Sequence, residues 1–346
     1  MTRRLFLITA GTLSLLCASD CIGQPQDDRS DVVSPTDVVS PTDASYRLAD
    51  GSVRVVGDLT MEPLITRLNQ LFIRDHPGIR FTLILRSPPT GIDGIVADVS
   101  LFAPLGREAW ETEIEPFKRL TGYRPLDIRI GRRGYAGAGD QNPPGIYVQV
   151  DNPLRQLTMT ELGRILTAGQ MPSDVRHWGQ LDLEGQWAKH AIHVYGTRDD
   201  GRFVTGLRGA WFGGRPFRRD YEALAEDTDV LEAVAGDRYG IGVVDFVSRT
   251  SIPKNVRLVA LAQDVNTRAS LGEYDHVRQA RYPLSPYLHL YVRTAPGQPL
   301  NPLAKQYIRL ALSTDGQRLI EELKGEKEGY VPLAAEEVRQ ELAKIE

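Results

Sequence analysis

The chain has 346 residues, with 41 Lys and Arg against 45 Asp and Glu and a formal net charge of −4. That length allows two ordinary domains with proper cores. The mild acidity lacks the basic footprint of a general nucleic-acid binder, so nucleic acid is not an expected partner.

The first stretch carries an address. Arg3 and Arg4 precede an apolar run over 5–18 that is too short and mixed to span a membrane. This predicts a signal peptide over 1–23, cleaved after Gly23 or Ser19, and hence a periplasmic or secreted protein. A lipid anchor at Cys17 or Cys21 is not favoured, because Leu16 and Asp20 stand where a small residue is needed. These are the 2 cysteines of the chain, so no thiol chemistry is expected in the mature protein. Residues 24–50 read as a flexible linker holding the repeated hexapeptide Asp-Val-Val-Ser-Pro-Thr at 31–36 and 37–42.

From residue 51 the pattern alternates. A buried strand at 53–56 leads through Gly57-Asp58-Leu59-Thr60 into an amphipathic helix over 61–75, stopped by His76-Pro77-Gly78. Strands follow at 79–85, 96–102 and 125–130, with a turn at 87–91, a short helix after it and a helix over 108–121. A glycine-rich loop at 131–145 precedes a strand at 146–150. Thr158 and Glu161 form a capping box that opens a helix over 158–168, with Gly169 beyond its end. Further strands are expected at 192–195, 241–246, 256–261 and 287–293, and helices at 227–235, 302–312, 316–323 and 334–345. The rhythm argues for an α/β fold, with mixed, mostly parallel sheets flanked by helices.

The stretch 192–209 reads I-H-V-Y-G-T-R-D-D-G-R-F-V-T-G-L-R-G. A short strand, a polar loop and a helix point backbone N–H groups beyond the strand end, a place that favours an anion. Arg198 and Arg202 flank Asp199 and Asp200, and arginine suits bidentate recognition of carboxylate or phosphate. The competing explanation is a surface turn whose charges cancel. Together with 58–61 and 87–91, this loop is one of three at strand ends, where ligands of open α/β sheets bind. Enzyme signatures are missing: there is no His-Glu-x-x-His, Gly-x-Ser-x-Gly, P-loop, or Gly-x-Gly-x-x-Gly after the first strand. The 6 histidines are scattered, and no metal site or cofactor is expected.

Val55-Val56-Gly57-Asp58-Leu59-Thr60-Met61-Glu62-Pro63-Leu64 resembles the opening strand and loop of periplasmic phosphate-binding proteins, the solute receptors of phosphate ABC importers. Asp151-Asn152-Pro153-Leu154 with Leu157-Thr158, Trp178-Gly179-Gln180-Leu181, Arg198-Asp199-Asp200-Gly201 and Tyr239-Gly240-Ile241-Gly242-Val243 resemble further segments of that family, in its order. The resemblance covers residues 51–325 and implies a two-lobed clamp with two crossing strands, near 147–150 and 286–293. Lobe one is then 51–144 plus 286–346, and lobe two 145–285. Phosphate or another small anion would sit between them, the membrane subunits of an ABC importer would be the partner, and the protein would be a monomer.

Carried over residue by residue, the resemblance implies ligand contacts from Thr60, the backbone of Met61, Thr90, Gly91, Arg198, Asp200 and Gly201, with Arg202 as a second cation. The chain also departs from the family. Pro88 stands at the second-loop serine, Phe102 near the aspartate that accepts the ligand's proton, and Arg202, Phe203 and Val204 at a serine-glycine-threonine run. Such losses remove several kcal/mol of binding when buried groups go unpaired at about 1–3 kcal/mol each. A clamp with an eroded cleft, docking on an envelope or signalling partner, is therefore the alternative. A hydrolase built on Asp199, Asp200 and His193 lacks further oxygen ligands at suitable spacing.

Overall fold

The computed structural model describes residues 44–133, 141–198, 200–245, 247–325 and 329–346, without the side chains at 141, 142 and 202. The expected signal peptide and nearly all of the linker lie outside the described residues. The linker's last residues do not behave as a tether: Tyr46 is 7% exposed and packs into the first core, and Asn301 donates to its hydroxyl at 2.8 Å.

The first half of the fold begins with β1 (Val53–Asp58), a short 3₁₀ turn (Leu59–Met61) and α1 (Glu62–Asp75). Five of six positions in β1 are buried, all but Arg54, and α1 buries Leu64, Ile65, Leu68 and Phe72 along one stripe. Next come β2 (Phe81–Arg86), α2 (Pro88–Val96), β3 (Ala103–Leu105), α3 (Glu111–Thr121) and β4 (Leu126–Arg133). The segment expected as a turn at 87–91 instead opens α2, because Pro88 and Pro89 occupy first-turn positions where no N–H is needed. The third strand accordingly falls later than the expected 96–102.

The middle of the chain holds β5 (Gln141–Asn142), β6 (Gly145–Gln149), β7 (Gln156–Thr158), α4 (Met159–Leu166), β8 (His193–Thr197) and α5 (Arg202–Trp211). It continues with β9 (Tyr221–Leu224), α6 (Asp227–Gly236), β10 (Gly240–Val244), β11 (Val247–Ser248), β12 (Val256–Ala262) and α7 (Tyr274–Arg278). The capping box of α4 is present in both halves: Glu161 N donates to Thr158 Oγ1 at 3.1 Å and Thr158 N to Glu161 Oε2 at 2.8 Å. The chain ends in β13 (Tyr287–Val292), α8 (Pro302–Leu312), α9 (Thr314–Glu322), β14 (Tyr330–Val331) and α10 (Ala335–Ala343).

The strands form a parallel pair, β1-β2, a four-stranded sheet in the order β14-β4-β13-β3, a six-stranded sheet in the order β7-β12-β6-β10-β8-β9, and a small pair, β11-β5. Alternation of strand and helix predicts parallel pairing, which holds for β1-β2, β7-β12, β10-β8 and β8-β9. The four-stranded sheet is antiparallel at every pair. In the larger sheet β6 lies antiparallel to both neighbours, because it and β13 enter between strands already running the other way.

Two main cores result. One gathers both ends of the chain, including Val55, Leu68, Phe102, Ile130, Leu290 and Tyr307. The other is built almost wholly from 146–284, including Val148, Leu162, Trp178, Val194 and Val259.

Candidate functional site

A cleft of about 820 Å³ opens where the loops after β1 and β3 and the edge of β4 face α5. Its floor is the meeting of the first and third loops. Asp58 is 4% exposed, and its carboxylate accepts from Thr60 N at 3.1 Å and from Gly106 N at 3.2 Å. Tyr330 donates to the Thr60 carbonyl at 2.7 Å and fixes the loop from below. Gly106 has to be glycine: a Cβ there would lie 2.5 Å from Thr60 Oγ1, 3.1 Å from Asp58 Oδ2 and 3.6 Å from Arg133 Nη1. A hydroxyl, a carboxylate and a guanidinium thus crowd the place a side chain at Gly106 would take. Thr60 Oγ1 is buried and has no hydrogen-bond partner, an uncommon state for a buried hydroxyl.

One wall is the segment before α3. Glu113 fastens it at two points, accepting from Arg107 Nη1 and Nη2 at 2.9 and 2.6 Å and from Trp110 N at 2.7 Å. The Arg107 guanidinium lies 4.0 Å above the Trp110 ring, and Ala109 N donates to Tyr291 at 3.0 Å. Two donors are left over, since Arg107 Nε and Trp110 Nε1 are buried without a partner.

Further along, Asp127 and His289 bond at 2.7 Å. Burial works against the charge of Asp127, yet His289, Lys344 and Arg129 together hold its carboxyl below the usual range. Arg129 and Lys344 both reach Glu341, at 2.5 and 2.6 Å, so the end of α10 contributes to this edge. The opposite wall is α5 and its continuation, residues 203–214, with Thr205 and Arg208 on the lining.

The residues singled out from sequence are distributed unevenly about the cleft. Thr60 lies against Gly106 of the floor but is not itself on the lining. Met61 is fully buried in the first core, which leaves only its backbone for a ligand. Thr90 shares a hydrogen bond with Ser87 at 2.9 Å, on either side of Pro88, which lines the cleft. Gly91 is a packing position: a Cβ would stand 3.0 Å from Leu105 and 3.1 Å from the Gly57 Cα. Arg198 and Asp200 form an ion pair at 2.7 Å with their side chains 71% and 65% exposed, and Arg198 holds the Asp200 carboxyl below its usual range. Gly201 precedes the first turn of α5 as its N-cap. Asp199 and the side chain of Arg202 lie outside the described residues.

Sequence reasoning missed Asp58, Gly106, Arg107, Trp110 and Arg133. Glu113 three residues after Trp110 was the available signal, since that spacing marks a helix start tied back by its own glutamate. Among the described residues, no group of three or more His, Cys, Asp or Glu is arranged to hold a metal, and no helix is long and apolar enough to cross a membrane.

Residues 42–315 match the family model described as the PBP superfamily domain. The phosphate-binding protein PstS of Pseudomonas aeruginosa, in each of two strains, is 27% identical over 292 residues, covering 82% of this chain and 84% of the relative. The crystal structure of PstS from Borrelia burgdorferi shares the fold, with a TM-score of 0.54 and 15% identity over 82% of this chain and 99% of that one.

Proposed function

The chain belongs to the PBP superfamily, and from that premise we propose that it is a solute-binding protein capturing phosphate, or a closely related small oxyanion, between two lobes for uptake by an ABC importer. Lobe one is 51–144 plus 286–346 and lobe two is 145–285. The division of the two main cores supports these bounds, as does the side-by-side course of the two connections: Arg133 N donates to the Pro286 carbonyl at 2.8 Å. The protein is exported by a signal peptide over 1–23, acts in the periplasm as a monomer, and carries out no chemistry on its ligand.

The observation that carries the proposal is the floor of the cleft. Thr60 Oγ1 has no partner, and it lies with Arg133 beside Gly106, whose own N–H is held by Asp58. An oxyanion here accepts from the Thr60 hydroxyl and lies against the Arg133 cation, and charge-assisted bonds are stronger than neutral ones. Asp58 supplies the carboxylate missing at Phe102. Each of its oxygens accepts one N–H and keeps a second lone pair for the proton of a hydrogen-oxyanion. The Met61 amide, Thr90 and Gly91 complete the lobe-one side around Pro88. Lobe two brings Arg198, Asp200, Gly201 and Arg202 at the rim, and Thr205 and Arg208 on the wall.

Calorimetric titration of the mature protein with phosphate, sulfate and small carboxylates at low salt tests this. Saturable one-to-one binding of phosphate is expected, weakened roughly 10- to 100-fold by Arg133→Ala, the range for a lost hydrogen bond to a charged group. No saturable heat with any of the anions sinks it. That outcome favours the second function, an interaction module with a closed-off site, for which the exposed Arg198–Asp200 pair already speaks.

A further inference from the structure

The cleft is larger than a bare tetrahedral oxyanion needs. Cavities of about 300–1,000 Å³ hold drug-sized ligands, and this one measures about 820 Å³, far more than a phosphorus and its oxygens fill. The room does not come from walls that stand apart. At Trp110 they already meet: its Nε1 lies 3.9 Å from where a Cβ would sit on Gly206 of α5.

The wall also carries donors that an oxyanion on the floor does not use. Trp110 Nε1 and Arg107 Nε are both buried and unpartnered, on residues that line the cleft, and leaving two such groups desolvated costs about 1–3 kcal/mol each unless an acceptor arrives. Arg107 is already neutralised by its bidentate pair with Glu113, at 2.6 and 2.9 Å. Its remaining N–H therefore suits a neutral acceptor, a hydroxyl or ether oxygen, better than a second anion. The cleft lining also carries the rings of Phe203, Trp211 and Tyr287, and such rings give apolar faces for C–H groups beside polar anchor points.

We infer that the cleft takes a phosphate monoester of a hydroxylated organic group, a sugar or polyol phosphate. The phosphate rests beside Gly106, against Thr60 and Arg133, and the hydroxyl oxygens accept from Trp110 Nε1 and Arg107 Nε. The inference rests on the oxyanion function proposed above and extends it to the substrate class.

The test is calorimetry on the mature protein with inorganic phosphate, glycerol 3-phosphate and glucose 6-phosphate, repeated with Trp110→Phe, which keeps the ring and removes the donor. At least one ester is expected to bind tenfold or more tightly than inorganic phosphate. Trp110→Phe is expected to weaken that ester about 3- to 10-fold more than it weakens inorganic phosphate, the range for one hydrogen bond. Esters binding no tighter than inorganic phosphate, or a variant that weakens both ligands equally, overturn the inference while the oxyanion function stands. Binding of none of the three defeats that function itself. If Trp110→Phe fails to fold, the ranking of the ligands on the wild-type protein decides alone.

Discussion

At the scale of single residues, Asp58 is the hinge of the account. Its two oxygens satisfy the Thr60 and Gly106 amides and so tie the first loop to the third. Asp58→Ala strands two buried N–H groups and should lower stability by about 1–3 kcal/mol in a denaturant titration. Because the variant also loses the acceptor for the proton of a hydrogen-oxyanion, phosphate should raise its melting temperature less than that of the wild type. An unchanged stability would contradict the role. Asp227 makes a different prediction. Burial first, and then the neighbouring Asp245 and Glu226 carboxylates, raise its pKa to about 6, against the opposing hydrogen bond from Asp245 N. Because the folded value lies above the unfolded one, the native state holds the extra proton, and stability falls as pH rises from about 4 to about 6. A full shift of this size is worth about 3 kcal/mol, and partial exposure reduces it to about 1–2 kcal/mol. Asp227→Asn should therefore stabilise the protein at pH 7 and do nothing at pH 4, as read by thermal melts at the two values.

At the scale of elements, α10 straps lobe one to the edge of the cleft. Glu337 bonds Arg132, which is 3% exposed, at 2.6 Å, and shares Tyr287 at the same distance. Glu341, fully buried, holds Arg129. Breaking one partner of a buried pair leaves an uncompensated charge, so Glu337→Ala should lower stability by on the order of 3 kcal/mol in urea unfolding. A loss near zero would mean that α10 is held by its apolar face instead. On α5, a Cβ at Gly209 meets nothing within 4 Å, so Gly209→Ala should stabilise the helix by about 0.5–1 kcal/mol. Elements with local signals were legible in the sequence: β1, α1, the α4 capping box and α8 stand within a residue or two of where periodicity and caps put them. The turn that became α2 was not, because two prolines read equally well as a turn or as a helix start. The site was legible only where one loop carries it. Thr60 announced itself through its own segment, 58–61, whereas Gly106 and Arg133 join that segment from up to 75 positions away (58 to 133), a juxtaposition that no local pattern encodes. Arg198 stands in a different setting. Its loop looked the most ligand-like in the chain, yet a carboxylate two residues away takes up its guanidinium.

At the scale of the whole molecule, the two ends of the chain build one core and its middle builds the other. A ligand between them bonds to both, and closure is favoured only by contacts that exist in the closed form. The floor belongs to the first and third loops and the facing wall to α5, so an occupant bridges parts of the sequence that share little covalent connection. The most direct test is a crystal structure of the mature protein grown with phosphate. The account predicts oxyanion density within hydrogen-bond distance of Thr60 Oγ1 and Arg133. Density confined to the exposed Arg198 turn, or none in the cleft at saturating phosphate, would contradict it.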